Sequence, residues 1–522
     1  MTRKQKKLLV VAGILVALPA VLLVEEHFRG KWALAKLKRQ LSAKGEKLAV
    51  NDCRPPALES AAENGHFELV RAAAMLGGSS LTLAAPRPLR AVAPGKVEVI
   101  HSLTEWKVSN ANRKNATNNN WRTLEDSFTA WRDSLAEVKA AIRRSPFDAN
   151  IDYVRGFEAP LPHLTRLRSA TQHLGIDALI QLHNGRLDEA VDDIEAQLLL
   201  SHQMRNERLL ISQLVRIAIA ANAIGPTWQA LQTPGLTAAQ LARLQRAWET
   251  NEFVVIMNQS LEMERSMAVA MFARMRSSAD HAAKMMDAMG SWGLFGNTAA
   301  GGNVQSFDEW VEQLSEGGSR VLTRGFYVPL WQFAWSHQDE KFYLEAMQEV
   351  LDGSREAVRR YSVAPVSRVS KRLEHRWENQ SAYSRLSRPL SELSASSLAK
   401  SPQRAASFEA QRTLTVTAIA LKRHELRHGS AAALLTALVP EFLREVPRDI
   451  FDGQPLRYRP GEDSRYLLYS VGKDERDDGG DPVPPNKGSQ NFHFINGRDW
   501  VWPMPATEEE IRAAEEKEKP RK

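Results

Sequence analysis

One uncharged stretch near the N-terminus constrains this chain more than any other feature. Residues Leu8 to Val24, LLVVAGILVALPAVLLV, contain no charged side chain, and no later stretch of the sequence matches them. As a helix rising about 1.5 Å per residue, they extend roughly 25 Å, which is at the low end for crossing a bilayer. The sequence therefore predicts a transmembrane anchor at 8–24. Four basic residues precede it in a short region at 1–7: Arg3, Lys4, Lys6 and Lys7.

A cleaved secretory signal peptide is the alternative interpretation of this stretch. Cleavage requires small residues at the last and third-last positions before the cut. Ala20 is the available candidate, but Leu18 stands two positions before it and the apolar run continues to Val24. We therefore expect a retained signal anchor.

The basic residues before the anchor favour a cytoplasmic N-terminus, although further basic residues follow the anchor at 29–39. The predicted location is the inner membrane, crossed once, with the body in the periplasm or outside the cell. The orientation rests on the balance between these two basic groups.

The net charge does not indicate a nucleic-acid partner. Residues 1–40 contain nine Lys and Arg against two Glu, which accounts for the formal charge of +7, and the remainder holds 60 basic and 60 acidic residues. The excess therefore belongs to the flanks of the anchor, where anionic lipid is the expected partner. Cys53 is the only cysteine, so neither an intramolecular disulfide nor a cysteine metal cluster is expected.

The chain is predicted to be mainly α, with a membrane helix, an irregular helical bundle and a small C-terminal α+β domain. A juxtamembrane helix is expected after Val24, followed by loops and an extended segment at Lys96–Ile100. Apolar residues spaced three or four apart indicate helices from Trp121 onward. The predicted organisation is a juxtamembrane region at 25–120, a bundle at 121–387, a linker at 388–404, a C-terminal domain at 405–505 and a charged tail at 506–522.

Within the bundle, ALIQLHNGRLDEAVDDIEAQLLL predicts a helical hairpin. Asn184 and Gly185 would form its turn, and Asp188 and Glu189 would begin the second helix. The hairpin resembles one tetratricopeptide-type unit, but the signature does not recur, so a short solenoid remains an alternative to an irregular bundle. The next apolar segment, Arg208 to Leu231, contains Arg216 and is predicted to be a buried third helix rather than a second membrane span.

The C-terminal region carries the most specific motifs. A helix from Ala405 to His428 is followed by Leu438-Val439, Pro447 to Asp449, Gly453, Leu456 to Arg459, and Tyr469 to Asp474. This order resembles the globular domain of the major pseudopilin of type II secretion systems, and the end of a group of bacterial single-pass envelope proteins. The resemblance implies a short antiparallel sheet packed on a helix.

The same resemblance implies a calcium site. In calcium-binding pseudopilins an acidic loop after these strands holds the metal, and flexible loops of carboxylates and carbonyls suit this ion. The candidate ligands are Asp474, Asp478, Asp481 and Asp499. The alternative is a solvated acidic turn, because Arg476 lies within the loop and a proline-rich insertion departs from the pseudopilin pattern. The anchor also lacks the pseudopilin processing site, so the chain is not expected to polymerise.

One enzyme motif lies in the same region. His424-Glu425-Leu426-Arg427-His428 is HExxH, in which histidines four residues apart can bind zinc on one helix face while the Glu acts on a zinc-bound water. The charged Arg427 within the motif and Gly429, which ends the helix directly after the second His, argue against a zinc site. A third ligand has no clear position. Glu441 and Glu445 are the candidates.

Two functions of different class follow from these patterns. The first is a membrane-anchored, exported scaffold of the bacterial cell envelope that binds a protein partner and has no catalytic activity. The second is a zinc-dependent hydrolase, a peptidase, built on His424, Glu425 and His428.

Overall fold

The computed structural model describes residues 3–58, 64–76, 85–108, 117–144, 146–291, 323–391, 398–461, 465–486 and 493–518. For residues 3–16 it describes the backbone only, so the side chains of the first half of the predicted anchor lie outside the described residues. Parts of the predicted linker and charged tail also lie outside them. The fold is mainly α, as predicted, with 68% of the described residues helical and 6% in strands.

The helices account for most of the described chain. Their bounds are α1 Arg3–Ala43, α2 Val50–Cys53, α3 His66–Ala74, α4 Trp121–Phe128, α5 Arg132–Arg144, α6 Pro162–His183, α7 Leu187–Gln203, α8 Leu210–Gln232, α9 Ala238–Glu249, α10 Val254–Ser277, α11 Ala279–Ser291, α12 Val328–Leu330, α13 Ser336–Arg360, α14 Ala364–Glu378, α15 Ala382–Ser387, α16 Ser401–His428 and α17 Glu508–Glu518. Two π-helical turns, Thr323–Tyr327 and Trp331–Trp335, flank α12 and lead into α13.

Short strands form three small sheets. Their bounds are β1 Ala91–Ala93, β2 Lys96–Val97, β3 Glu105–Val108, β4 Thr117–Asn120, β5 Arg457–Pro460, β6 Tyr466–Ser470, β7 Trp500–Val501 and β8 Met504–Pro505. The sheet orders are β1-β2-β8, β3-β4 and β5-β6-β7.

The first helix passes without a break from the apolar run into the body. In its first half, Leu18, Val21, Leu22 and Val24 are 43–64% exposed. In its second half, Leu34 and Leu41 are buried, and the helix packs along α13. A Cβ atom at Gly30 would lie 2.8 Å from Cγ of Gln338, so glycine permits this close approach of the two helices.

Helices α6, α7 and α8 pack against one another as a three-helix unit. The predicted hairpin turn is confirmed, because α6 ends at His183 and Gly185 adopts φ 71° before α7. In α8, the side chain of Arg216 is 1% exposed and donates from Nε to the carbonyl oxygen of Ser201 at 2.9 Å. This helix is therefore a core element.

By length and apolarity, α8 is also the one candidate membrane span found among the residues with described side chains. In the window that meets the test, 61% of the residues are buried inside the protein. That burial agrees with its predicted role as the third helix of the unit.

The C-terminal helix α16 is central to the core. It begins with Pro402 in the first turn, where a missing backbone N–H costs little, and Gly429 ends it in the left-handed conformation. It packs on α8, α9 and α10, and also on strand β6. The helix that opens the predicted C-terminal domain thus shares one continuous hydrophobic core with the bundle.

The C-terminal sheet has the predicted antiparallel form. Strands β5 and β6 pair with Tyr458 opposite Leu468, and β6 pairs with β7. A second connection is long-range, because β2 runs parallel to β8 with Lys96 opposite Met504. The region after the anchor is therefore joined directly to the end of the chain.

A buried carboxyl group caps the start of α8 and makes stability depend on pH. Oε1 of Glu264 accepts a hydrogen bond from the backbone N–H of Leu210 at 2.9 Å, and burial raises the pKa of Glu264 to about 7. Because the folded pKa lies above the unfolded value of 4.5, the neutral carboxyl is favoured in the folded protein, and the unfolding free energy falls as pH rises from about 4.5 through 7.

We therefore expect Glu264→Gln to weaken the decline of unfolding free energy between pH 5 and 8. At pH 8 the unfolding free energy of the variant should exceed that of the unsubstituted protein by on the order of 3 kcal/mol. The cost of burying the second hydrogen of the glutamine amide reduces this gain. Denaturant unfolding at several pH values measures it. An unchanged pH slope in the variant would contradict the assignment.

Candidate functional site

The HExxH segment lies at the exposed end of α16. The imidazole rings of His424 and His428 lie one turn apart, with their centroids 4.5 Å from each other and their planes tilted by 39°. Nδ1 of His424 lies 3.2 Å from the carbonyl oxygen of Ser430, and Nε2 of His428 lies 3.6 Å from Oε2 of Glu441. The structure thus brings both histidines together with one of the two candidate third ligands.

The remaining contacts in this cluster are those of surface ion pairs. Oε1 of Glu441 lies 3.3 Å from Nε of Arg427, so the carboxylate is shared between an arginine and His428. Glu425, the candidate general base, accepts from Nζ of Lys422 at 3.1 Å. Among the side chains that the structure describes, no group of three His, Cys, Asp or Glu residues is arranged to hold a metal ion. Both acidic side chains of this cluster are thus paired with basic residues.

The carboxylates of Asp474 and Asp481 in the acidic loop have different partners. Oδ1 of Asp474 accepts from the backbone N–H of Arg476 at 3.2 Å, and Oδ2 of Asp481 accepts from Nη1 of Arg498 at 2.8 Å. Asp478 is exposed. Among the described residues, the four candidate calcium ligands are not brought together in a metal-holding group.

Asp499 is the buried carboxylate of this loop. Its Oδ2 accepts from the backbone N–H of Gly480 at 2.7 Å and from that of Asp481 at 3.3 Å. Burial raises the pKa of Asp499, although backbone hydrogen bonds from the loop act in the opposite direction. Gly479 and Gly480 both adopt positive φ, and in this turn the N–H of Gly480 points to Asp499 while that of Gly479 donates to Oδ1 of Asp477 at 3.0 Å. Asp499 therefore organises the loop from inside the protein.

A larger charged arrangement, which the sequence did not reveal, joins α1 to the body. We call it the junction: residues 23–47 together with the parts of α10, α13 and the preceding π turn that contact them. At its far end, Glu46 accepts from Nη2 of Arg265 at 2.9 Å, from Nη1 of Arg355 at 2.5 Å and from Nε2 of Gln348 at 2.9 Å. The guanidinium of Arg265 is fully buried.

These contacts hold Glu46 in its charged form. Burial opposes ionisation, but hydrogen bonds from Arg355, Arg265 and Gln348 outweigh it and lower the pKa of Glu46 to about 2. Arg265 also donates to the carbonyl oxygen of Lys47 at 2.9 Å. The chain just beyond α1 is therefore fastened to both α10 and α13.

A second buried ion pair lies nearer the apolar run. The carboxylate of Glu340 is fully buried and lies between Nζ of Lys38 and Nη2 of Arg276, the latter at 2.6 Å. Closer still, the ring of His27 stacks on Phe333 with centroids 5.0 Å apart. Buried ion pairs are costly to break by removing one partner, so the part of α1 after the apolar run is held to the body rather than tethered loosely.

Little in the sequence could have identified the junction. Its partners lie 218 to 312 residues apart where they hydrogen bond, so no local spacing connects them. A usable signal was a charged residue within an otherwise apolar helix face, as with Arg265 in MERSMAVAMF. A charged residue is rarely buried without a partner, so this pattern could have indicated that Arg265 is paired.

Comparison with known proteins adds no family to this description. No protein-family model, no curated protein and no solved structure matches the chain significantly.

Proposed function

We propose that this chain is a membrane-anchored, exported scaffold of the bacterial cell envelope, without catalytic activity. The observation that supports the proposal best is the junction. One helix contains the apolar run, leaves its described side chains from Leu18 to Val24 largely uncovered, and then packs along α13, where Lys38 pairs with the buried Glu340. Apolar side chains exposed along a helix need a covering, and a bilayer supplies it.

In this proposal the anchor sets the position of the body. A flexible tether would let the helical body move freely at the membrane surface, whereas the clamped α1 fixes its distance and orientation. The proposed topology is a cytoplasmic N-terminus, one crossing of the inner membrane, and a body on the exported side. A protein partner in the envelope would then meet a surface held at a constant height.

Beside the junction lies a surface on which a partner could be held. An open groove of about 890 Å³ runs between α1, α13 and α14. Leu37, Leu41 and Phe342 contribute apolar surface to it, and Glu345 and Glu349 contribute negative charge. Its mixed lining is typical of sites for protein contacts rather than of a closed substrate pocket.

We propose that the C-terminal region is similar in form to the globular domain of the major pseudopilin. The antiparallel β5-β6-β7 sheet against α16 supports it. We further propose that the loop is held by Asp499 and the Arg498–Asp481 ion pair, which lies at 2.8 Å, rather than by calcium.

The zinc hydrolase is the second candidate, and the 3.6 Å separation between Nε2 of His428 and Oε2 of Glu441 favours it. Metal analysis separates the two functions. We expect full-length protein, exchanged into zinc-containing buffer and then freed of loosely bound metal, to retain no stoichiometric zinc. His424→Ala and His428→Ala should leave the metal content unchanged. Stoichiometric zinc that both substitutions remove, together with a peptidase activity lost in parallel, would establish the hydrolase instead.

A further inference from the structure

We propose that the segment Phe326–Trp335, together with α15, is embedded in the membrane interface beside the anchor, as a second lipid contact of this chain. This inference rests on the proposed membrane anchoring. It adds a second surface to it, which we call the wedge: the exposed side chains of Phe326, Phe333, Tyr383 and Leu386.

The wedge lies at the depth of the apolar run because α1 and the segment that leads into α13 run in the same direction. His27 of α1 stacks on Phe333, Gly30 contacts Gln338, and Glu46 binds Arg355. Later residues of α1 thus contact later residues of the segment that leads into α13, so the two run in parallel. Moving from Phe333 back to Phe326 therefore moves toward the N-terminus of α1, by roughly 10 Å for seven helical residues.

That displacement brings Phe326 level with the last turns of the anchor. His27 follows the end of the apolar run by three residues, so a position seven residues lower lies beside residues 18–24. The body does reach this level, because Leu23 is partly buried and packs against the hydrophobic core. The run extends only about 25 Å as a helix, shorter than the hydrocarbon thickness of about 30 Å, so the bilayer surface should meet the body near His27.

The chemistry of the segment suits lipid. From Phe326 to Trp335 the sequence FYVPLWQFAW contains no charge. Phe326 is 68% exposed and Phe333 48% exposed among the residues that the structure describes. Large aromatic residues so exposed, in a cluster, mark an interaction surface, and bilayer interfaces favour aromatic side chains.

The polar groups of the segment are bonded within the protein. Tyr327 Oη donates to the carbonyl oxygen of Leu386 at 2.7 Å, and Gln332 Nε2 donates to that of Met275 at 2.6 Å. Trp331 Nε1 donates to Asp339 at 3.0 Å, and Trp335 Nε1 donates to Tyr383 Oη at 3.2 Å. Donors satisfied internally can leave water at little cost, as entry into the interface requires.

The same hydrogen bonds place α15 in the wedge. Tyr383 lies level with Trp335, and Leu386 lies level with Tyr327, so α15 descends toward the anchor beside the segment. Tyr383 is 48% exposed and Leu386 39% exposed. A tyrosine at the upper level and a leucine at the lower one follow the usual order from the headgroups to the acyl chains.

Spin labels on the full-length protein in lipid vesicles test this proposal. In a Cys53→Ser background, single cysteines replace Phe326, Leu386, Val21 of the anchor, or Arg360. Arg360, 65% exposed at the far end of α13, is the matched aqueous control, roughly 40 Å from Phe333 along a straight helix. Collision with oxygen, which concentrates in lipid, is compared with collision with a water-soluble nickel chelate.

We expect the ratio of oxygen to nickel collision to be several-fold higher at positions 326 and 386 than at 360, and highest at 21. A ratio at 326 and 386 equal to that at 360, with position 21 in lipid, would overturn the wedge and leave the anchor standing. Exclusion of both reagents at 326 would show that protein covers this surface, which also overturns the wedge. Nickel access at position 21 would refute the anchor, and the wedge with it.

Discussion

Replacing Glu46 by alanine is expected to destabilise the protein by about 3–5 kcal/mol, because it leaves the guanidinium of Arg265 buried without a carboxylate. Arg355 would lose one carboxylate partner, at 2.5 Å, and keep Glu262 at 2.8 Å. The effect should be largest near neutral pH. Since the folded pKa of Glu46 is lowered to about 2, its contribution is present above the unfolded value of 4.5 and is lost as pH falls through 2.

Denaturant unfolding of the full-length protein measures this change, and Glu345→Ala is the matched control. Glu345 pairs with Lys341 on the exposed side of α13 at 2.7 Å, so its loss should cost only about 0.5 kcal/mol. Hydrogen exchange at residues 44–50 should also accelerate in Glu46→Ala alone. Equal effects of the two substitutions would show that α1 is not clamped by this cluster.

Asp449→Ala should cost a similar amount, and its effect should be confined to the C-terminal sheet. Asp449 is fully buried, and its carboxylate accepts from the backbone N–H groups of Phe451 at 3.0 Å and Val471 at 2.8 Å, and from Ser470 Oγ at 2.9 Å. Alanine would leave three buried donors without an acceptor, each costing about 1–3 kcal/mol. We expect a total loss of about 3–5 kcal/mol once the site has relaxed.

Asp474→Ala provides the comparison within the same region. Asp474 is exposed and accepts one local hydrogen bond, so its removal should change stability by about 0.5 kcal/mol or less. Hydrogen exchange should rise in β5 and β6 for Asp449→Ala and stay unchanged for Asp474→Ala. If Asp449→Ala leaves exchange in these strands as it was, the carboxylate does not hold the sheet.

Local patterns predicted the helical elements well. The Asn184-Gly185 turn, the burial of α8 and the pairing of β5 with β6 were predictable because periodicity and turn residues act over short distances. Apolar composition alone does not separate core from surface among the aromatic residues of 326–343. Trp331, Trp335 and Tyr343 are buried, whereas Phe326 and Phe333 are exposed.

The contacts that organise the molecule could not be predicted locally. Glu46 meets Arg265 and Arg355 across 219 and 309 residues, and β2 pairs with β8 across the whole body. The candidate sites show the same limit. HExxH spacing correctly brings His424 and His428 to one helix face, but only the folded chain shows that Arg427 competes for Glu441.

The distribution of an extracytoplasmic reporter tests whether the chain is anchored in the membrane with its body on the exported side. A reporter enzyme that is active only outside the cytoplasm is fused after Lys522, so that the entire chain is present, and its activity is measured in membranes washed with high salt. We expect an active reporter that stays with the washed membranes. Release of the activity into the wash would contradict the membrane span, and a fusion protein that is produced but inactive would contradict the exported position of the body.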